Sequence, residues 1–205
     1  MTQTHPNVRV GIVPYLQYNG VDIPEDTAIS PPIEHLPIRE ALERQWNGDS
    51  YLVMYKTVDR STGQLLLESE DWRRYNQPIL PYIRQSGNDL VCPFICLEWD
   101  RDPHDDWPNE EAQNEWFQKD FIPKASEATT KISSIADYYA FYFTRRGFRI
   151  VYVLNRPVPV DQIEAKIAGM ILAFESVGSK PDRAASDWTR LFRLPLVVRD
   201  GKANY

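Results

Sequence analysis

Apolar and polar positions along the chain fall into stretches of different period, and each period predicts its own element. Residues 90–102, LVCPFICLEWDRD, hold an apolar, strand-favouring run that ends abruptly in charge. Strand side chains alternate between faces, so Glu98, Asp100 and Asp102 share one face if the strand stays extended that far. Ile95, Leu97 and Trp99 then fall on the other, a face suited to a packed interior. A helical period follows over residues 162–177, where Ile163, Ile167, Met170, Ile171 and Phe174 make one apolar stripe. Asp161 and Glu164 are placed to form its capping box, and Gly178 to stop it. Between these, residues 139–143 and 148–154 are aromatic and β-branched, and Thr144-Arg145-Arg146-Gly147 makes the turn of a hairpin.

The rest of the chain is less regular. Residues 1–37 carry six prolines and read as an extended arm, with a short strand within 8–16. A helix over 38–46 precedes two strands, 51–58 and 64–68, around the turn at 59–63. Pro78 and Pro81 interrupt any helix over 75–85. Residues 108–121 predict a helix with acidic residues in its first turn, and 124–139 a second helical piece beyond Pro123. Strand, helix, strand, strand, helix, strand is the order of an α+β fold with an RRM-like (ferredoxin-like) sheet and helices on one face. That unit spans 90–205, and a smaller N-terminal α/β module spans 1–89.

With 205 residues, 42% of them hydrophobic, the chain can build one substantial core. There is no apolar run of membrane-spanning length and the N-terminus is polar, so a cytoplasmic protein is expected. Cys92 and Cys96 lie in the predicted buried strand and are expected to be reduced core residues. The net charge of −6 argues against nucleic acid, but its distribution argues the other way. From residue 144 to 205 there are 11 Lys and Arg against 6 Asp and Glu, a balance of +5 against −11 for residues 1–143. Segregation of this kind permits an anion-binding surface on an acidic protein.

Carboxylates gathered at the end of a buried strand repel one another, and hard oxygen ligands of this type suit Mg²⁺ or Mn²⁺. Three stretches stand in order: D-R-D at Asp100 and Asp102, TRRGFR at Thr144–Arg149, and PDRAASDWTRLFRLP from Pro181 to Pro195. This order resembles the archaeo-eukaryotic primase superfamily, the primase-polymerases of phages and plasmids. Asp100 and Asp102 match its first motif. Thr144, Arg145, Arg146, Gly147, Phe148 and Arg149 match the second, with threonine for serine, Arg145 for the first glycine and Arg149 in the histidine's place. Asp182 matches the third, and Asp187, Arg190, Arg193 and Pro195 the run after it, with Leu196 where a glycine is usual.

The resemblance implies nucleotidyl transfer from (d)NTPs on a single-stranded DNA template in phage or plasmid replication, with a helicase as a further domain or partner in many members. Asp100, Asp102 and Asp182 are then the catalytic carboxylates and ligands of Mg²⁺ or Mn²⁺, with Asp187 as alternative third ligand. Thr144, Arg145, Arg146, Gly147, Arg149, Arg190 and Arg193 are the nucleotide-binding set, with Arg146 and Arg149 expected at an exposed turn or strand start. Plainer readings stand beside these. Arg145 and Arg146 also suit a solvated turn, Asp182 a helix cap, and Arg190 and Arg193 ion pairs with Asp187 and Glu175. Two other functions fit parts of the pattern: a non-catalytic RRM-like nucleic-acid-binding replication module, and a D-x-D nucleotide-sugar glycosyltransferase.

Overall fold

The computed structural model describes residues 8–14, 34–47, 50–64, 84–101, 107–188, 190–199 and 202–204. Its elements in order are β1 (Arg9–Pro14), β2 (Glu34–Pro37), α1 (Ile38–Glu43), β3 (Ser50–Val53), β4 (Lys56–Asp59) and β5 (Asn88–Asp100). Next come α2 (Glu110–Trp116), a π-helical turn (Phe117–Phe121), α3 (Ile122–Ile132), β6 (Ala136–Phe143), β7 (Gly147–Pro159) and α4 (Val160–Glu175). A 3₁₀ turn (Arg183–Ser186), β8 (Leu191–Arg193), β9 (Val197–Arg199) and β10 (Lys202–Asn204) end the chain.

Among the described residues the fold is mixed α+β, with two four-stranded antiparallel sheets, β2-β1-β3-β8 and β4-β5-β7-β6. β9 and β10 make a separate ribbon. Strands cross the sequence boundary at residues 89 and 90 in both directions. β4 pairs with β5, and β8 returns from the far end of the chain to pair with β3. One buried apolar cluster runs through both sheets and the helices.

Alternation in β5 sets the layering. Trp99 packs edge-on against Phe121 and Phe174 and stacks on Phe148, which places this face of β5 under the helices. The predicted stripe of α4 is buried as expected, and Gly178 follows the helix at φ 77°, a conformation that suits glycine. Cys92 and Cys96 are free and buried, also as expected.

Three local expectations are corrected. Residues 51–58 are not one strand: the chain breaks at Met54 and Tyr55 to pass from the first sheet to the second, and residues 65–68 lie outside the described ones. The turn itself forms, with the Asp59 carboxylate accepting from the backbone of Ser61 and Thr62. The helix expected over 124–139 ends at Ile132, because 136–143 is claimed as an edge strand by β7. A second helical piece does begin beside Pro123, as expected: α3 carries the proline in its first turn and follows directly on the π-helical turn. Asp161 and Glu164 form no capping box: α4 starts after Pro159 without a side-chain cap, and Asp161 pairs with Arg84 instead. Among the described residues, no helix is long and apolar enough to cross a membrane.

Candidate functional site

The other face of β5 looks toward the first sheet, and there a glutamate interrupts the apolar run. Glu98 is only 4% exposed, so its charge needs partners. Directly across the ladder lies Arg149. Its Nε donates to Glu98 Oε1 at 2.8 Å, and its Nη2 donates to the same oxygen. Arg190 takes the second oxygen, Nη2 donating to Oε2 at 2.7 Å, while its Nη1 donates to Asp182 Oδ2 at 2.8 Å. Two carboxylates and two guanidiniums thus share one network between the sheets.

Backbone geometry explains why these groups meet. The Asp182 N–H donates to the Glu98 carbonyl at 2.7 Å, docking the segment after α4 onto the end of β5. Asp182 Oδ1 accepts from the Ala184 N–H at 2.9 Å, so the residue also caps the 3₁₀ turn, as its plainer reading had it. The Asp187 carbonyl accepts from the Arg190 N–H at 3.1 Å and sets the approach to β8. In β8 the Arg193 carbonyl accepts from Arg149 Nη1 at 2.8 Å and from the Tyr142 hydroxyl at 3.0 Å. The Phe192 ring lies 5.6 Å from the Arg149 guanidinium and 5.7 Å from that of Arg190. Arg193 reaches over Tyr51 and donates to its hydroxyl at 3.2 Å. Burial opposes the charge on Arg149, but Tyr142, Glu98 and Cys96 around it prevail and hold its pKa above the usual arginine value.

The structure therefore brings together some of the expected residues and not others. Asp182, Arg149, Arg190 and Arg193 converge. Asp100 ends β5, two residues from Glu98 and opposite Gly147, and Asp102 lies outside the described residues. Arg145 and Arg146 are exposed at the hairpin tip, where the Arg146 carbonyl accepts from the Arg101 N–H and from Trp107 Nε1. The tip itself is closed by its own residues, since Thr144 Oγ1 accepts from the Gly147 N–H at 3.1 Å. A Cβ on Gly147 would stand 1.7 Å from the Trp99 carbonyl oxygen, so the missing side chain is needed for the two strands to approach.

Arg149 is not at an exposed position: its side chain is 13% exposed. Arg190 does not depend on Asp187 for its side-chain partners, and Glu175 pairs with Arg183 rather than Arg193. Glu98, absent from the expected site, is its centre. The signal for it was present, because a glutamate inside a buried strand calls for a cation on the neighbouring strand.

As they stand, Glu98 and Asp182 fit a shared guanidinium better than a shared divalent ion, because Arg190 already bridges them. Among the described residues no group of three or more His, Cys, Asp or Glu is placed to hold a metal. No protein-family model, curated protein or solved structure matches the chain.

Proposed function

We propose that the chain is a primase-polymerase-type domain that handles (d)NTPs and single-stranded DNA at the network between its sheets. The observation that carries this reading is the meeting of Glu98 with Arg190, 92 residues apart in the chain, together with Asp182. The last motif expected from sequence thereby lies against the strand that carries the first. The strand order β4-β5-β7-β6 supports the RRM-like part of the reading. β5 and β6 flank β7, and helices connect β5 to β6 and follow β7; the strand expected after α4 does not join this sheet, since β8 pairs with β3 and the remaining edge is taken by β4, which precedes β5.

In this reading Arg190 and Arg193, 29% exposed in the case of Arg190, meet the triphosphate, and Arg145 and Arg146 meet the template backbone. Asp100, Asp102 and Asp182 are the carboxylates for which the resemblance implies Mg²⁺ or Mn²⁺. The geometry sets a condition. Arg190 must release Glu98 and Asp182 before either carboxylate can serve an ion, and a triphosphate is an anion able to draw it away. The setting would be phage or plasmid replication in the cytoplasm, beside a helicase.

A second reading, a non-catalytic RRM-like nucleic-acid-binding module, is favoured by one observation: Arg149 and Arg190 already neutralise Glu98 and Asp182. A single assay separates the two. The protein is incubated with primed and unprimed single-stranded DNA, labelled nucleotides and Mg²⁺ or Mn²⁺, and products are read on a gel. Metal-dependent products that vanish in Asp100→Asn and Asp182→Asn, with DNA binding retained, support the enzyme. A wild-type protein that binds DNA and incorporates nothing with either metal gives the binding module, and one that does neither removes both.

A further inference from the structure

β6 is an edge strand of the second sheet: among the described residues its only sheet neighbour is β7. A cleft of about 720 Å³ runs along that edge. Its floor includes four consecutive β6 residues, Ala140, Phe141, Tyr142 and Phe143. Consecutive strand residues point to opposite faces, so a cavity touching all four lies along the strand's rim rather than over one face. Such a rim presents backbone N–H and C=O groups to whatever enters.

The lining is acidic in part and apolar in part. Its lining includes Glu110 and Glu111 at the start of α2, both exposed and without an ion pair among the described residues. Leu42 and Leu196 add apolar surface to the same cleft. Leu196 is held at φ 57°, in the left-handed region that leucine seldom adopts. Trp46 pins it there, its N–H donating to the Leu196 carbonyl at 3.1 Å. The strained leucine and Phe141 are each 40% exposed. Among the described residues no lysine or arginine lines the cleft.

We infer that this cleft receives an extended segment of a partner protein, which adds to β6 as a further strand and carries basic side chains alternating with apolar ones. Backbone hydrogen bonds to the rim of β6 hold the segment in register. Alternate side chains then meet different parts of the lining, the basic ones Glu110 and Glu111 and the apolar ones Leu42 and Leu196. Charge complementarity selects this occupant. A second copy of the chain pairing β6 to β6 would bring its own Glu110 and Glu111 to the same cleft, and a nucleic acid would bring phosphates against them.

The test is fluorescence anisotropy with a labelled peptide of about ten residues, alternating lysine and valine, titrated with the full chain. Saturable binding is expected. It should weaken at least about tenfold in the Glu110→Lys, Glu111→Lys double variant, since attraction becomes repulsion at both positions. It should also be lost when the peptide is N-methylated along one edge, a change that removes donors and leaves its charge intact. The peptide-side change keeps the test decisive if the protein variant does not fold. Unchanged affinity for the N-methylated peptide, equal binding of a glutamate-valine peptide, or no binding at all overturns the inference. A concentration-dependent dimer in sedimentation that Phe141→Lys abolishes also overturns it, and assigns the edge to a second copy.

Discussion

The two faces of β5 solve the problem of burial in opposite ways. Trp99 enters a cluster of rings, with Phe148, Phe121 and Phe174 at centroid distances of 5.2, 5.1 and 4.8 Å, and its one polar atom donates to Ser179 Oγ. One residue earlier, Glu98 enters a network of charges drawn from β7 and from the segment leading into β8. The aromatic face tolerates small misfits, because apolar contacts are many, weak and non-directional. The charged face does not, because each member removed leaves another charge buried without its counterpart.

The largest effect is expected where both faces depend on one backbone contact. Gly147→Ala puts a Cβ 1.7 Å from the Trp99 carbonyl oxygen, which forces β5 and β7 apart. A loss of about 5 kcal/mol or failure to fold is expected in urea unfolding, the range of substitutions with a gross steric cause. A variant of near wild-type stability would mean that the seam is looser than described.

Next come the two faces themselves. Glu98→Ala and Phe174→Ala should each cost about 3–5 kcal/mol, the first through an unpaired buried charge and the second through a cavity. Their doubles should diverge. Adding Arg149→Met to Glu98→Met should recover much of the loss, whereas adding Phe121→Ala to Phe174→Ala should deepen it. If unfolding midpoints show both doubles to be simply additive, the contrast between the faces fails.

Thiol chemistry offers a gentler probe. Burial pushes the Cys92 and Cys96 thiols up to about 12. Neither should label at pH 8 in the native protein, since the thiolate is the reactive form. Cys96 alternates with Glu98 on the charged face, so Arg190→Gln should speed its alkylation, read by mass spectrometry, more than Phe174→Leu does. The sign of the pH effect follows: the unfolded thiols ionise from about 9 and the folded ones only near 12, so stability falls across that window.

The smallest effect lies away from both faces. Hydrogen bonds from Ser61 and Thr62 depress the Asp59 carboxyl from 3.8 to about 2. Its contribution is complete above 3.8 and fades as pH falls through about 2, which a carboxyl NMR titration would follow. A midpoint near 3.8 would show the turn to be open in solution.

Sequence foretold the aromatic face far better than the charged one. The stripe of α4, the apolar run of β5 and the hairpin at Thr144–Gly147 all rest on local periodicity, which a short window carries. Glu98 required knowledge of which cations come near it. Arg149 reaches it only through the long-range pairing of β5 with β7, since the hairpin itself sets Arg149 opposite Tyr142, and Arg190 arrives because β8 crosses to the first sheet; no local pattern signals either approach. The break at Met54 and Tyr55 escaped for a related reason: both are strand-compatible residues, and only the need to serve two sheets separates β3 from β4. Asp182 was legible as a cap from Pro-Asp before a helical run, and its ion pair with Arg190 adds to that role without replacing it.

Titration calorimetry of a deoxynucleoside triphosphate into the wild-type protein and Arg190→Gln tests most directly whether the charged face is a phosphate site. Saturable binding by the wild type is predicted, weakened by about one to two decades in the variant, the worth of one charge-assisted phosphate contact. Equal affinity in the two proteins, or no triphosphate binding by the wild type, would contradict the account and leave the network as a structural clasp between the sheets.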